Sequence, residues 1–500
     1  MAALQQRQTS YLDDHDLSTK EPDVFSDIGT RPVLDEGAKI LAAAADQSPP
    51  TEEEIRVVRR KADLIVMPLL CFTVGLQYAD KSALAVAALF GIVTDLRLFD
   101  IANGRIDTHL YSMCVMIASV GFIAGTFPLA YIAQRFSTGK CAAAYIFLWG
   151  TILFLTPLCN TYSGLMGQRF ALGFMEAGVS PIFLSVLSMW YNTREQALRA
   201  TILFSANGLT IIPLLACSYG LIVLDDKVAA WKIQYLFLSS ITVCWAVIFA
   251  LFIPDSPVTA RFLNERQKYV AVERLRANQA GITSKQFKWS QVWDSLKDPK
   301  TLLLAIMVFC MASPNGAIGS FTPLVIQNVI GASSRRTLLL LMPAAAVAGC
   351  SNLVAGTITY LFPNTRSACI IFMAIVTLIG AALEWKLDLT NKQGLLGALY
   401  PSNTAGASRK TVVGSIVFMS LNASAIAAPF FFFKNEAPRY ASGFRITMAL
   451  LAVGIGCTIL YAVLCARENR LRDKLPKDSQ PDHAFEDLTD LENKAFRYQL

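Results

Sequence analysis

The feature that most limits this chain is a succession of apolar stretches, each about as long as a bilayer is thick, between Leu64 and Cys465. A helix needs about 20 mostly apolar residues to cross about 30 Å of hydrocarbon. On that rule eleven spans are expected, at residues 64–90, 109–133, 141–160, 164–190, 200–224, 233–253, 301–326, 338–361, 367–386, 411–433 and 441–465. In lipid every backbone N–H and C=O must be satisfied within the chain, so apolar stretches of this length form helices, and the expected fold class is an all-α membrane protein. Only 16% of the 500 residues are charged, against about a quarter in ordinary soluble proteins. That balance excludes a disordered regulator, a secreted disulfide scaffold and a nucleic-acid binder. The eleven cysteines lie in or beside apolar runs without CxxC spacing and read as small helix residues.

The charges outside these stretches set the organisation. Residues 1–54 hold twelve acids and four bases, which leaves the rest of the chain more basic than the formal net charge of +7. Residues 1–62 read as a disordered acidic cytoplasmic tail, and no basic segment followed by an apolar one opens the chain, so no cleaved signal peptide is expected. Residues 63–253 read as an amino-terminal six-helix bundle, 254–300 as a cytoplasmic central loop with nine Lys/Arg and five Asp/Glu, 301–465 as a carboxy-terminal bundle and 466–500 as a second cytoplasmic tail. Lys and Arg near span ends stay in the cytoplasm. Arg56, Arg59, Arg60 and Lys61 therefore place the amino terminus inside. One stretch breaks the alternation. Between residues 387 and 410 the apolar run is only Gly394 to Tyr400, which as a helix reaches about 10 Å. Without a crossing there, the basic segment after Cys465 would face outward, so a truncated, partly irregular tenth element is expected, buried among its neighbours.

Charges inside spans are expensive, at about 2.5–3.5 kcal/mol each on insertion scales. The first span carries Gln77, Asp80 and Lys81 at i, i+3 and i+4; the fourth carries Arg169, Gly173, Glu176 and Ser180 along one face. Four such charges left in lipid would together cost roughly 10–14 kcal/mol, about the whole stability of a domain. They must face a wet cavity or each other. As structural pairs they would lock the two helices together. As functional groups they divide the work: a carboxyl withdrawn from water exchanges protons more readily, so Asp80 and Glu176 are candidates for proton coupling. Lys81 and Arg169, fixed cations, are candidates for binding an anion. Gln77, Asn207, Asn315 and Asn422 are further candidates for substrate contact, although Asn also serves as a hydrogen-bonding link between membrane helices.

Other sources of energy and chemistry find no support. Gly139-Lys140 lacks the Gly at 134 and the Ser or Thr at 141 that a phosphate loop requires, these being Gln134 and Cys141. His15, His109 and His483 are scattered, and no nucleophile elbow or triad spacing is present. Neither an enzyme nor a cofactor or metal site is therefore expected.

The segments Leu76-Gln-Tyr-Ala-Asp-Lys-Ser-Ala-Leu84, Gln168-Arg-Phe-Ala-Leu-Gly-Phe-Met-Glu-Ala-Gly-Val-Ser-Pro181, Ser188-Met-Trp-Tyr191, Phe204-Ser-Ala-Asn-Gly-Leu209, Pro254-Asp-Ser-Pro257 and Glu436-Ala-Pro-Arg-Tyr440 resemble fungal anion:cation symporters of the major facilitator superfamily, in particular the allantoate permease group. The resemblance implies twelve helices in two six-helix bundles around a central site, here with the tenth helix truncated. It implies proton-coupled uptake of a small organic anion such as allantoate, nicotinate or another vitamin-like carboxylate, by a monomer in the plasma membrane. On the matching positions Asp80 and Glu176 correspond to proton-coupling acids and Lys81 and Arg169 to anion-binding bases, with Arg135 and Arg199 at the cytoplasmic gate. Export of a secondary metabolite and a transport-inactive sensor are the alternatives that the same sequence allows.

Overall fold

The structure is a computed structural model that describes residues 48–98, 100–102, 105–107, 109–221, 229–275, 289–319, 333–362, 365–384, 407–427, 431, 441–474 and 497–498. Each of the eleven apolar stretches is mainly helical over its described residues. The helices are α1 (Glu52–Leu89), α2 (His109–Arg135), α3 (Thr138–Phe154), α4 (Tyr162–Glu176), α5 (Val179–Trp190), α6 (Thr193–Leu221), α7 (Ala230–Phe252), α8 (Glu265–Glu273), α9 (Trp289–Lys297), α10 (Pro299–Gly319), α11 (Ser334–Leu361), α12 (Arg366–Glu384), α13 (Ala407–Ala427) and α14 (Ala441–Asp473). Among the described residues eight helical segments are long and apolar enough to cross a membrane, with three shorter apolar ones in α10, α12 and α13. The tenth element expected over 387–410 lies outside the described residues apart from the start of α13, as does residues 1–47 of the expected tail.

Boundaries differ from the hydropathy in instructive ways. α1 begins well ahead of the apolar stretch because Thr51 caps it: the Glu54 amide donates to Thr51 Oγ1 at 3.3 Å and the Thr51 amide to Glu54 Oε2 at 2.9 Å, with three acids in the first turn. The polar start of α1 is held by the segment expected as a plain loop, which folds into α8 and α9. Arg266 pairs with Glu54 at 2.9 Å, and Lys61 donates to Gln267 Oε1 at 2.9 Å. At the far end of the chain α14 continues past the last span to Asp473. The connection between α1 and α2 adds a small exception to the all-helical plan, an antiparallel hairpin of Asp100–Ala102 and Arg105–Asp107 with Ile101 opposite Ile106.

The fourth span is interrupted between α4 and α5. Pro181 has no N–H to give to the Ala177 carbonyl, which interrupts the helical ladder there. Gln77 of α1 spans the interruption, its amide donating to the Glu176 carbonyl at 3.2 Å and accepting from Ser180 Oγ at 3.0 Å.

Close packing fixes the site's walls. α2 lies against α4 so tightly that a methyl at Gly121, Gly125 or Gly173 would meet the carbonyl oxygens of Phe170, Phe174 and Ala118 respectively, the use of small residues that brings membrane helices into backbone contact. The amino-terminal helices meet the carboxy-terminal ones mainly where α6 runs along α11 and α2 along α13. Ser205 Oγ donates to the Gly349 carbonyl at 2.6 Å across the first of these seams. Buried Trp149, Trp190, Trp231, Tyr111 and Tyr235 fill the interior, whereas Leu64, Leu251 and Phe372 stand exposed on the outside of their helices, as a lipid-facing surface requires.

Candidate functional site

A cavity of about 200 Å³ lies between the two sets of helices. Gln77 and Lys81 of α1, Phe122 of α2, Arg169 and Glu176 of α4, Asn207 of α6, and Phe418 and Asn422 of α13 are among the residues that line it. The sequence-expected residues thus gather, with three departures described below.

Lys81 and Glu176 form the cavity's ion pair, with Lys81 Nζ 3.7 Å from Glu176 Oε2. The Glu176 side chain is almost wholly enclosed, at 3% exposure, while that of Lys81 is 41% exposed. The cation is thus the partner that an incoming solute meets. On its other side Lys81 Nζ sits 4.8 Å from the centroid of the Phe122 ring. Gly173 makes this arrangement possible, because its backbone contact with Ala118 brings the α4 face, and with it Glu176, close to α2.

Arg169 is buried, at 3% exposure. Its guanidinium donates to the Tyr235 hydroxyl of α7 and has its centre 5.8 Å from that ring's centroid. Arg169 Nε has no hydrogen-bond partner among the described residues. Although it lies near the start of the fourth span, it runs inward to the cavity wall.

The first departure is Asp80. It is fully buried and is not among the cavity-lining residues; the Trp149 indole of α3 donates to its Oδ2, and Oδ1 has no hydrogen-bond partner among the described residues. Consecutive residues on a helix project in directions about 100° apart. Lys81 therefore faces the cavity while its neighbour faces α3. The second departure is Gln77, whose amide is engaged at both ends by the α4–α5 interruption. The third is Asn422, whose Nδ2 donates at 2.8 Å to the Phe418 carbonyl one turn back on its own helix. Asn207 lines the cavity as expected; Asn315 falls on α10, but its side chain lies outside those described.

At the end of the bundle where α1 begins, the two arginines expected at a gate part company. Arg199 is buried and pairs with Asp63 at 2.8 Å, its guanidinium 4.8 Å from the Tyr191 ring centroid. Arg135 is exposed and stands over the Tyr131 ring. Sequence reading missed the rest of this cluster. Glu195 takes Arg59 at 3.3 Å and Arg274 at 3.7 Å, and Arg274 also donates to the Trp190 carbonyl. Burial pushes the Arg274 guanidinium below its usual range, against the opposing pull of Glu195. Asp63, Glu195 and Arg274 come from three separate segments, and nothing in their local spacing joins them. Trp149 and Tyr235 were equally hidden, as two among many aromatic residues in spans.

Comparison with known proteins identifies the family. The family model described as Major Facilitator Superfamily matches residues 70–456. The chain is 31% identical over 500 residues to the allantoate permease of Saccharomyces cerevisiae, covering 93% of this chain and 90% of that protein. It is also 31% identical over 471 residues to an uncharacterized transporter of Schizosaccharomyces pombe, covering 90% and 88%. Among solved structures it resembles the proton:xylose symporter XylE at a TM-score of 0.51 and 12% identity, covering 80% of this chain and 88% of that one, a likeness of fold. The chain is a multi-pass membrane protein that belongs to the Major Facilitator Superfamily and is a relative of the fungal allantoate permease.

Proposed function

We propose that the protein is a secondary active transporter that carries a small organic anion together with protons by alternating access. The observation that carries this reading is the Lys81–Glu176 pair on the wall of a central cavity, its cation open to solute and its acid enclosed. A substrate carboxylate and the Glu176 carboxylate compete for one ammonium. Protonation of Glu176 releases Lys81 to the substrate, and return of the proton to water restores the pair and expels the anion. The Lys81 charge is thereby kept paired in each state, which avoids the cost of leaving it isolated in the membrane.

Arg169, held by Tyr235, adds a second positive charge at the same wall. Asp80 serves as a second coupling acid behind the wall, approached through the protein rather than from the cavity. Asn207 offers a hydrogen bond to the remainder of the substrate. Gln77 supports the Glu176 turn, and Asn422 supports the turn that carries Phe418. Arg199, clasped by Asp63, and Arg135 act at the cytoplasmic entrance. The small cavity and the similarity to an allantoate permease favour a compact, vitamin-like carboxylate, taken up at the plasma membrane by a monomer.

The test is uptake into proteoliposomes under an imposed proton gradient, using labelled allantoate and a panel of small carboxylates. Glu176→Gln should abolish accumulation above equilibrium while leaving exchange across the membrane. Uphill accumulation by that variant at the wild-type level removes Glu176 from the mechanism.

A further inference from the structure

The lysine on the cavity wall is held from two sides. Lysine is a compact charge on a four-carbon stem with many rotamers, and at 41% exposure the cavity alone does not fix it. Glu176 holds Nζ on one side at 3.7 Å; the Phe122 ring faces it on the other, 4.8 Å from the centroid. A cation within about 6 Å of a ring centroid is attracted by the negative face of the ring, more strongly where water is excluded.

The ring itself has little freedom. Phe122 is 1% exposed and follows Gly121, whose backbone is pressed against the Phe170 carbonyl of α4. Phe418 of α13 meets it from the opposite set of helices, with centroids 6.4 Å apart and planes tilted by 45°, within the range of attractive aromatic pairs. The turn that presents Phe418 is tied by the Asn422 bond to its carbonyl.

We propose that Phe122 is a positioning residue that holds the Lys81 ammonium on the cavity wall, and that Phe418 backs it from across the interface. Anion affinity is then tied to the closing of the two halves. When a substrate carboxylate replaces Glu176 at Lys81, the ring keeps the cation in place. When the halves part between α2 and α13, the ring loses its support, Lys81 loosens and the anion is let go. What Lys81 binds rests on the anion-transport reading; how Lys81 is held does not.

The experiment reads Lys81 directly, by pulse acetylation with acetic anhydride of the full-length protein in detergent and quantification of the Lys81 peptide by mass spectrometry. Phe122→Leu should raise the Lys81 labelling rate about three- to tenfold, the scale of a partly desolvated cation–ring contact. Phe418→Leu should raise it about twofold, and Phe122→Tyr should leave it near the wild-type rate. Fluorinated phenylalanines at position 122 keep the ring's shape while draining its face, so the rate should climb with each added fluorine. That series also decides the matter should Phe122→Leu fail to fold. A folded Phe122→Leu protein with the wild-type labelling rate, or a flat fluorine series, overturns the proposal. Parallel uptake assays separate the two readings: Phe122→Leu should raise the KM for the transported carboxylate with little change in maximal rate. Absence of uptake of every carboxylate by the wild type would sink the transport reading and leave the labelling result standing.

Discussion

The amino-terminal helices bring Lys81, Arg169 and Glu176 to the cavity, whereas the described part of the carboxy-terminal helices brings Phe418, Leu421, Asn422 and Ala425, none of them ionisable. The two regions also differ in how they are built. On the amino-terminal side, α2 and α4 meet backbone to backbone through Gly121, Gly125 and Gly173. On the other, a side chain added at Gly454 of α14 would meet the side chains of Met311 and Cys310 rather than backbone. A charged site thus rests on a rigid wall and faces an uncharged one. An ion pair contained within one half cannot close the halves by attraction; closure must come through the solute and through packing such as Phe122 on Phe418.

The largest effect that tests this contrast is on the rigid wall. Gly173→Val places branched carbon against the Ala118 carbonyl, and overpacking of that kind costs about 3 kcal/mol or more. The expected outcome is loss of the monodisperse folded protein in size-exclusion chromatography. A folded Gly173→Val protein with normal uptake would show that the wall yields.

Arg169→Leu comes next. It leaves the Tyr235 hydroxyl without its guanidinium and removes one of the two cations among the described residues that line the cavity, and losing a hydrogen bond to a charged group costs about 1.5–3 kcal/mol. Uptake should fall about a hundredfold while the protein still folds; uptake within a few-fold of wild type would show that the cavity needs a single cation. Asn422→Ala, on the uncharged wall, removes one hydrogen bond within its own helix, worth about 1 kcal/mol. Uptake should fall no more than about fivefold. A fall as deep as that of Arg169→Leu would erase the contrast between the two walls.

The fold was legible in the sequence to the extent that lipid dictates it. Hydropathy marks each span because nothing but a helix satisfies the backbone there, and the expense of Lys81 and Glu176 marked them as cavity residues before any geometry was known. Direction was harder to read. Asp80 and Lys81 are adjacent and equally costly, yet a rotation of about 100° sends one to Trp149 and the other to the cavity. Which face of α1 meets α3 is a tertiary fact that a single helix's pattern does not hold. The same holds for Gln77, whose amide is taken up by an interruption on another helix that Pro181 causes. The cluster of Asp63, Glu195 and Arg274 joins three distant segments and becomes visible only once the central segment folds back as α8. α1 itself started earlier than its apolar residues because the cap at Thr51, a local signal, was stronger than hydropathy as a boundary.

The most direct test of the account is a double-mutant cycle on anion affinity with Lys81→Met, Glu176→Gln and the double variant. Competition for one ammonium predicts that Glu176→Gln alone tightens anion binding, and that the same change has no effect once Lys81 is Met, a coupling of at least about 1 kcal/mol. Additive effects of the two substitutions would mean that Lys81 and Glu176 act separately, and the competition at the heart of the mechanism would be contradicted.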